Sequence, residues 1–357
     1  MTRRGNIPPH TVYRRRNASG LSVGKKNARL YDECVLRKIG FGVLGVLILA
    51  ILIVAVFILP GKPPPPSPEQ AKPTGDANIL FVGDMFFDRY IRKISNTAGG
   101  DFIFSCIYPF LAGSDYVVGN LEGPITEHDS VSLGTNPGDD GHFQFTFSPE
   151  TAELLKRNNI KAVTIGNNHI YNFGAGGIAS TKEYLEKSGI GYFGGVKGNE
   201  PVFRKELNGI SFSFIGYNQF GGDTPEAVAE KIKSEHEVGR SVIVFAHWGE
   251  EYSTSTAGIS SIARLFADNG ARAVIGSHPH IVLPKEYIGN TLVYYSLGNF
   301  IFDQYWNADV SRGLTVLLHI PSELDSKISV TEYPVILQTD GRTCLAEAVP
   351  PPKNTAP

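Results

Sequence analysis

Several residue types are scarce in this 357-residue sequence, which contains 3 cysteines, 2 methionines and 2 tryptophans. No two cysteines are spaced as Cys-x-x-Cys, which argues against a cysteine-ligated structural zinc site. Cys106 and Cys344 allow one disulfide, which the sequence neither requires nor excludes. Internal repeats are also absent. The fold must therefore rest on an apolar core, and 42% hydrophobic residues are enough for one large domain or two.

Charge is missing from residues 39–59, a stretch of 21 residues rich in leucine, isoleucine and valine. This length is enough to cross a bilayer as an α-helix, so we predict a transmembrane helix there. A buried core helix is disfavoured because the stretch shows no amphipathic pattern. A cleaved signal peptide is also disfavoured, because a long segment precedes the stretch and no small-residue cleavage site follows Leu59.

The charge on the two sides of this stretch is unequal. Residues 1–38 contain ten Lys and Arg residues against Asp32 and Glu33, a net charge of about +8, whereas the whole chain carries −2. By the positive-inside rule, residues 1–38 form a cytoplasmic tail and the remainder lies outside the cell. A nucleic-acid-binding arm is the alternative interpretation of the tail. Because a predicted spanning helix follows the tail, we favour the interpretation that its charge sets the orientation in the membrane. No nucleic-acid partner is expected.

Proline density separates the predicted helix from the rest of the chain. Residues 60–76 are predicted to form an extended, semi-rigid linker. Residues 77–349 form the predicted folded domain, and residues 350–357 a disordered tail. Within the domain, short apolar runs alternate with helical segments, and β-hairpins are predicted at 202–217 and 285–295. This order predicts an α/β fold of two packed sheets flanked by helices.

Metal-ligating residue types follow the predicted strands. The apolar runs at 241–245 and 271–275 are typical of buried strands, and α/β folds bind ligands just past the carboxyl ends of such strands. His278 and His280 are two residues apart, so an extended chain would point both the same way. The residues of metal-ligating type at successive strand ends are Asp84, Asn120 or Glu122, Asn168 and His169, His247, His278 and His280. This mixed oxygen and nitrogen set predicts one or two Mn, Fe or Zn ions rather than calcium.

Six short motifs occur in order along the domain. They are Gly83-Asp84, Asn120-Leu121-Glu122, Asn167-Asn168-His169, His247-Trp248-Gly249-x-Glu251-Tyr252, Gly276-Ser277-His278-Pro279-His280 and Ser296-Leu297-Gly298-Asn299-Phe300. Together they resemble the CapA family, the poly-γ-glutamate capsule synthesis proteins, from about Asn78 to Ile320. That family is similar to the calcineurin-like metallophosphatases. The resemblance therefore implies a four-layered α/β/β/α sandwich with a dinuclear metal site.

The resemblance also implies roles for single residues. Asp84 would be the first metal ligand, and Glu122 would lie near the bridging position. His169 would act on the leaving oxygen as general acid. Of the remaining ligands, Asn168, His247 and His278 would serve one metal and His280 the other.

Residues 298–304 and 311–313 are predicted to form the wall of a substrate pocket. Arg312 could clamp a carboxylate or phosphate, although a surface salt bridge is an equally good interpretation. The candidate substrate-binding residues are Asn120, Asn167, Glu251, Asn299 and Arg312. The aromatic residues near the same motifs are Trp248, Tyr252, Tyr305 and Trp306, for which core packing is the commoner use.

The sequence departs from the metallophosphatase pattern at several positions. A standard member begins Asp-x-His, but Asp84 is followed by Met85 and Phe86, so one histidine ligand is missing. Asp88 could compensate for it. In addition, Glu122 replaces the usual aspartate, and Asn172 stands where the family often has aspartate. The site could therefore hold one metal, or bind without turnover.

Two functions follow from these expectations. The first is a membrane-anchored, outward-facing, metal-dependent hydrolase-like protein that acts on an anionic cell-surface polymer or a phosphoester. The second is a non-catalytic subunit that binds such a polymer and supports a membrane synthase. Both imply contact with membrane lipid through residues 39–59. The missing Asp-x-His histidine favours the second function, and the retained Asn168 and histidines favour the first.

Overall fold

The computed structural model describes residues 75–135, 139 and 143–346 of the chain, and the structural statements below concern these residues. The predicted cytoplasmic tail, the predicted transmembrane helix at 39–59, most of the proline-rich linker and the predicted disordered tail at 350–357 lie outside the described residues. Within the described ranges, no helix combines the length and apolar character needed to cross a membrane.

The larger of the two sheets has eight strands. Its order is β14-β13-β12-β1-β2-β3-β4, and β11 pairs with the end of β1. Strands β1 to β4 run parallel, whereas β12, β13 and β14 are antiparallel. The strands are β1 (Ala77–Met85), β2 (Val117–Leu121), β3 (Ile160–Thr164), β4 (Gly191–Phe193), β11 (Asn299–Ile301), β12 (Arg312–Ile320), β13 (Ser329–Leu337) and β14 (Thr343–Leu345).

The second sheet has six strands in the order β5-β6-β7-β8-β10-β9. Its central strands are parallel, and the antiparallel pairs β5–β6 and β9–β10 confirm both predicted hairpins. The strands are β5 (Phe203–Leu207), β6 (Ile210–Asn218), β7 (Ser241–His247), β8 (Ala271–Ser277), β9 (Lys285–Ile288) and β10 (Thr291–Tyr294).

Helices cover the outer face of each sheet. Apolar residues of the first five helices pack with Leu80 and Val82 of β1, whereas the last two helices pack with Val242 and Val244 of β7. The helices are α1 (Arg89–Ala98), α2 (Gly100–Phe104), α3 (Tyr108–Ala112), α4 (Glu150–Arg157), α5 (Gly174–Ser188), α6 (Pro225–Glu237) and α7 (Ala257–Asp268).

A third apolar cluster lies between the sheets. Because side chains alternate along a strand, Ile79 and Phe81 of β1 point away from the helices and pack with Phe212, Phe245 and other residues of the second sheet. Both faces of β1 and β7 are thus buried, which explains their nearly unbroken apolar sequences. The mixed α/β architecture predicted from the sequence is confirmed, and it fits a metallophosphatase-like fold.

Cys106 and Cys344 form a disulfide. Cys106 follows α2, whereas Cys344 lies in β14, an edge strand, 238 residues further along the chain. The bond therefore ties the last described strand to the helical layer of the larger sheet.

The carboxyl ends of β1 and β8 approach each other where the two sheets meet. A Cβ atom on Gly83 would lie 1.9 Å from the backbone oxygen of Gly298, so only glycine allows β1 to pass this close to the segment before β11. The Asp84 amide then donates to Gly298 O at 3.0 Å. This close contact fixes Asp84 at the junction of the sheets.

Candidate metal centre

The six predicted metal ligands converge at the carboxyl ends of the parallel strands. Asp84 lies near the end of β1, Glu122 directly follows β2, and His247 ends β7. Asn168 follows β3, and His278 and His280 follow β8. All are buried except Asn168, which is half-buried. Five strand ends from two sheets therefore deliver donor atoms to one place, as expected for parallel strands.

The first cluster of donor atoms contains Asp84, Glu122 and His280, whose ligand atoms lie within 4.8 Å of one another. His280 Nδ1 is 3.5 Å from Asp84 Oδ2, and His280 Nε2 is 3.6 Å from Glu122 Oε1. Two carboxylates and one imidazole thus surround a common point.

The second cluster shares Glu122 with the first and adds His247 and His278. The Asn168 Oδ1 atom lies 3.0 Å from His247 Nε2, so this amide belongs to the same group. Because Glu122 is common to both clusters, the arrangement has the donors for two ions with one shared carboxylate.

Two buried atoms of these clusters lack hydrogen-bond partners among the described residues: Glu122 Oε1 and His278 Nδ1. A buried polar atom without a partner costs about 1–3 kcal/mol. A divalent cation bound to both atoms would remove that cost. The donor set, carboxylate oxygens with imidazole nitrogens, also suits Mn, Fe or Zn. The residues present therefore fit a metal ion.

The histidines of the second cluster are neutral. Burial lowers the pKa of His247 well below its usual range, and the neighbouring histidines add to this effect. Burial and the nearby His280 likewise lower the pKa of His278 to about 3. A neutral imidazole has the free lone pair that a metal requires.

His280 has the opposite charge state. Burial opposes its protonation, but the carboxylates of Glu122 and Asp84 outweigh burial and raise its pKa to about 9. Burial and the charge of Asp84 raise the pKa of Glu122 in turn. The first cluster therefore favours a positive charge among its carboxylates, and a metal cation would supply that charge.

The extended backbone predicted for His278 and His280 is wrong. Both residues have left-handed φ angles, +95° and +58°, and the chain turns between them at Pro279. The turn separates the ring centroids by 6.0 Å, so each ring serves a different cluster. The His278 amide donates to Asp84 Oδ2 at 3.2 Å, and this contact helps to offset the backbone strain.

Three of the predicted substrate-binding residues, the buried Asn120, Asn167 and Asn299, instead contact metal-ligand candidates or one another. Asn120 Nδ2 donates to Asp84 Oδ1 at 2.8 Å, and Asn120 Oδ1 accepts from Asn167 Nδ2 at 3.1 Å. Asn299 Oδ1 lies 2.9 Å from His280 Nδ1. These contacts orient the ligands, and a role in binding substrate stays a prediction.

His169, the predicted general acid, is half-buried beside the clusters. Its ring centroid lies 4.4 Å from that of Phe145, and its Nδ1 is 3.3 Å from Asn172 Nδ2. Burial, together with the positive charge of His280, lowers the pKa of His169 to about 3. The ring is therefore neutral near pH 7. Asn172 thus acts on His169 as an uncharged neighbour.

The other predicted pocket residues lie at different depths. Glu251 and Tyr252 are exposed at the edge of the centre, where Trp306 packs edge-on against Tyr252 at 5.6 Å between ring centroids. Trp248 is fully buried, and its Nε1 donates to Tyr295 O, so it belongs to the core. Tyr305 is half-buried, beside Tyr90 of α1. Arg312 is exposed at the start of β12, and the structure shows no hydrogen bond or ion pair from its side chain to a described residue of the centre.

Asp88, which could compensate for the missing histidine, is in neither donor cluster, and its carboxylate oxygens accept other hydrogen bonds. Asp88 Oδ1 accepts from the Arg89 amide at the start of α1 and from Ser130 Oγ, and Oδ2 accepts from the Thr146 amide. Phe86, at the histidine position itself, is fully buried and stacks on Phe302 at 4.7 Å. Aromatic packing thus occupies the place of that ligand.

Arg89 is a residue near the centre that sequence reasoning missed. It is buried, and its Nε and Nη2 atoms donate to Asp303 at 3.0 and 2.5 Å. Its guanidinium carbon lies 4.5 Å from the centroid of the Phe86 ring. The Arg89–Asp303 pair holds the segment after β11 against the start of α1. Only the position of Arg89 directly after Asp88 could have drawn attention to it.

The layered α/β fold and the acidic and histidine donors at its strand ends fit the class of metallophosphatase-like proteins. Residues 78–304, more than half of the chain, match the family model for the bacterial capsule synthesis protein PGA_cap, and the chain belongs to this family. The resemblance to the CapA family is therefore confirmed.

Two relatives give the same result. Over 271 residues the chain is 29% identical to the PGA biosynthesis protein CapA of Bacillus subtilis (strain 168), covering 70% of each protein. Over 250 residues it is 27% identical to the capsule biosynthesis protein CapA of Bacillus anthracis, covering 64% of this chain and 60% of that relative.

Proposed function

We propose that this protein is a metal-dependent, hydrolase-like enzyme of capsule biosynthesis that acts on poly-γ-glutamate or a related anionic surface polymer. Membership of the capsule synthesis family and the two relatives support the link to capsule and poly-γ-glutamate biosynthesis. We further propose that its layers form the four-layered α/β/β/α sandwich of the metallophosphatases.

The single observation that carries the proposal is the pair of donor clusters joined at Glu122. Structural packing does not require three imidazoles and two carboxylates buried together, because charged groups in an apolar interior are costly unless paired. The unpartnered Glu122 Oε1 and His278 Nδ1 atoms support the same interpretation.

A bound divalent metal would act as a Lewis acid toward a phosphoryl or related oxygen. The chain supplies the rest of the chemistry. Asp84, Glu122, Asn168, His247, His278 and His280 would hold the metal. His169, at the half-buried edge, would act on the leaving oxygen, to which its neutral ring can donate one hydrogen bond.

The second candidate function is a non-catalytic, polymer-binding subunit of a membrane synthase. The observation that favours it is Phe86, which fills the position of a superfamily ligand with an aromatic ring inside a cluster of phenylalanines. A centre with one ligand fewer could bind an anionic polymer through its metal without turning it over.

Location outside the cell is part of the proposal. Residues 39–59 would anchor the chain in membrane lipid with the N-terminus in the cytoplasm, where subunits of a synthase could also contact it. The Cys106–Cys344 disulfide supports an outer location, because disulfides persist in oxidising compartments.

The test is metal analysis of the purified protein combined with a phosphoesterase screen and two variants. His278→Ala should lower the bound metal, because one nitrogen donor disappears and no neighbour replaces it. His169→Ala should leave the metal content unchanged but reduce any hydrolysis by roughly 10²–10⁴-fold, the usual scale for a lost acid–base group.

The combination of results separates the two functions. Full metal loading with no turnover of any phosphoester would favour the binding subunit. If both variants retain all their metal and support normal capsule in cells, the centre has neither function and both proposals fail.

A further inference from the structure

A continuous chain of hydrogen bonds leads from His280 to the edge of the centre. His280 Nδ1 lies 2.9 Å from Asn299 Oδ1, and Asn299 Nδ2 donates to Gln304 Oε1 at 3.0 Å. Gln304 Nε2 then donates to the Tyr252 hydroxyl oxygen at 3.0 Å. His280, Asn299 and Gln304 are all buried, whereas 43% of Tyr252 is exposed. This series of hydrogen bonds therefore joins a metal-ligand candidate to a residue that a substrate can reach.

The donor and the acceptor of each hydrogen bond in this series are fixed. Asn299 Nδ2 also donates to Val310 O at 2.9 Å, so its amide nitrogen cannot be exchanged with its oxygen. Asn299 Oδ1 is then an acceptor, and His280 must donate to it from Nδ1. At the other end, the Tyr252 oxygen accepts from Gln304, so its own O–H must be directed to another acceptor.

Two contacts hold Tyr252 beside the metal centre. The Tyr252 ring is tilted by 32° over His280 at 5.9 Å between centroids. Its backbone is held in the left-handed region, φ +61°, by donation of its amide to Pro279 O at 2.9 Å. The exposed carboxylate of Glu251 also interacts with the hydroxyl. A flexible, solvated side chain such as this can give way to a ligand.

We propose that Tyr252 binds the substrate by donating a hydrogen bond from its hydroxyl to an anionic oxygen, of a phosphoryl or carboxylate group, held at the metal centre. The proposal rests on the proposed function, because it requires an oxyanion at the centre. Gln304 is the positioning residue, since it occupies the lone pair of the hydroxyl and so directs the proton outward.

The first experiment compares phosphate binding by wild type and Tyr252→Phe. The purified full-length protein is loaded with Mn²⁺ and titrated with inorganic phosphate in a calorimeter. A hydrogen bond to a charged oxygen is lost in the variant while the ring remains. We expect phosphate to bind about 10-fold more weakly or worse, with unchanged metal content.

Tyr287→Phe is the matched control. Tyr287 lies on β9 and is 40% exposed, close to the value for Tyr252, and its hydroxyl donates to Ile328 O, directly before β13 of the larger sheet. Its loss should not change the phosphate affinity. Equal phosphate affinity in wild type and Tyr252→Phe would overturn the proposal, and so would a loss of metal in Tyr252→Phe.

The second experiment tests the direction of the proton. In Gln304→Glu, a carboxylate replaces the amide donor, so the Tyr252 hydroxyl turns toward residue 304 and away from the substrate. The added negative charge also weakens phosphate binding, and a double-mutant cycle separates the two effects. The substitution should weaken binding more in wild type than in the Tyr252→Phe background. Equal effects in both backgrounds would mean that charge alone acts, and would overturn the role of Gln304.

The outcomes also separate this proposal from the proposed function. A wild-type protein that retains metal but binds no phosphate overturns the role of Tyr252 and leaves the metal centre intact. A wild-type protein that retains no metal overturns both.

Discussion

Asp84 and Asp88 are four residues apart but serve different tasks, because β1 ends at Met85 and the chain leaves the sheet between them. Asp84 faces the histidines and the Asn120 amide. Asp88 instead accepts the first amide of α1, lies 3.3 Å from Arg92 Nε, and accepts the Thr146 amide from a distant segment. Residue type and proximity in sequence therefore did not distinguish a ligand from a structural carboxylate.

The structure predicts that Asp88→Ala destabilises the fold without removing metal. The variant loses a helix N-cap and leaves the buried Thr146 amide without an acceptor. We expect the free energy of unfolding to fall by about 2–4 kcal/mol. Denaturant unfolding measures the loss, and metal analysis of the folded variant should give the wild-type content.

Asp101→Ala is the control for this prediction. Asp101 is an exposed acidic residue in the first turn of α2, and its ion pair with Arg157 is also exposed, so the stability should change by about 1 kcal/mol or less. If Asp88→Ala loses its metal while remaining as stable as wild type, Asp88 is a ligand after all.

At the scale of elements, the carboxylate of Glu235 connects helix α6 to three places in the second sheet. It lies on α6 and accepts from Arg204 of β5 and from Ser213 of β6, the latter at 2.6 Å. Arg240, just before β7, lies 3.2 Å from the same carboxylate. The hydrogen bonds from Arg204 lower the pKa of Glu235 despite its partial burial.

A folded-state pKa below the unfolded value of about 4.3 means that the unfolded chain binds more protons in the pH interval between them. The contribution of Glu235 to stability is therefore fully present above that interval and is lost as the pH falls through the folded-state pKa. We expect Glu235→Gln to cost about 1–3 kcal/mol at pH 7. Urea unfolding at neutral pH and below pH 4 should show this difference shrinking on acidification.

Glu230→Gln is the matched control, because Glu230 is exposed on the same helix. It should change stability by less than about 0.5 kcal/mol at either pH. A cost for Glu235→Gln that stays constant over the whole pH range would show that packing, rather than the ionised carboxylate, explains the effect.

The elements that sequence predicts well are those buried on both faces. Strand β7 is apolar from Val242 to Ala246 because helices cover one side and the other sheet covers the second. Once such strands are placed, the convergence of the residues that follow them is a consequence of parallel pairing. This explains why the convergence of Asp84 and the histidines could be predicted from the sequence, whereas the choice of Glu122 over Asn120 depended on the family resemblance.

Contacts between distant segments could not be predicted in this way. Arg89 pairs with Asp303, 214 residues away, and nothing local in the sequence of either indicates the partner. The left-handed turn at His278 and His280 depends on Asp84, which accepts the His278 amide from another sheet. The direction of the Tyr252 hydroxyl likewise depends on Gln304, which only the folded chain brings into contact.

At the scale of the whole molecule, two independent observations support the proposal that the folded domain faces outward. The excess of basic residues before residue 39 predicts a cytoplasmic N-terminus. The Cys106–Cys344 disulfide supports the same proposal, because disulfides persist in oxidising compartments. Cys34, the remaining cysteine of the sequence, lies outside the described residues, and a labelling experiment can compare it with an added cysteine.

Ser67→Cys, in the proline-rich segment, should react with a membrane-impermeant maleimide on intact cells, whereas Cys34 should not. The unsubstituted chain is the control: Cys106 and Cys344 are bonded to each other, so it should take up label only after the cells are permeabilised and Cys34 becomes accessible. Mass spectrometry of the labelled peptides identifies which cysteine has reacted. Labelling of Cys34 on intact cells, with Ser67→Cys protected, would reverse the orientation and place the metal centre in the cytoplasm. It would also contradict the assignment of the polymer substrate to the cell surface.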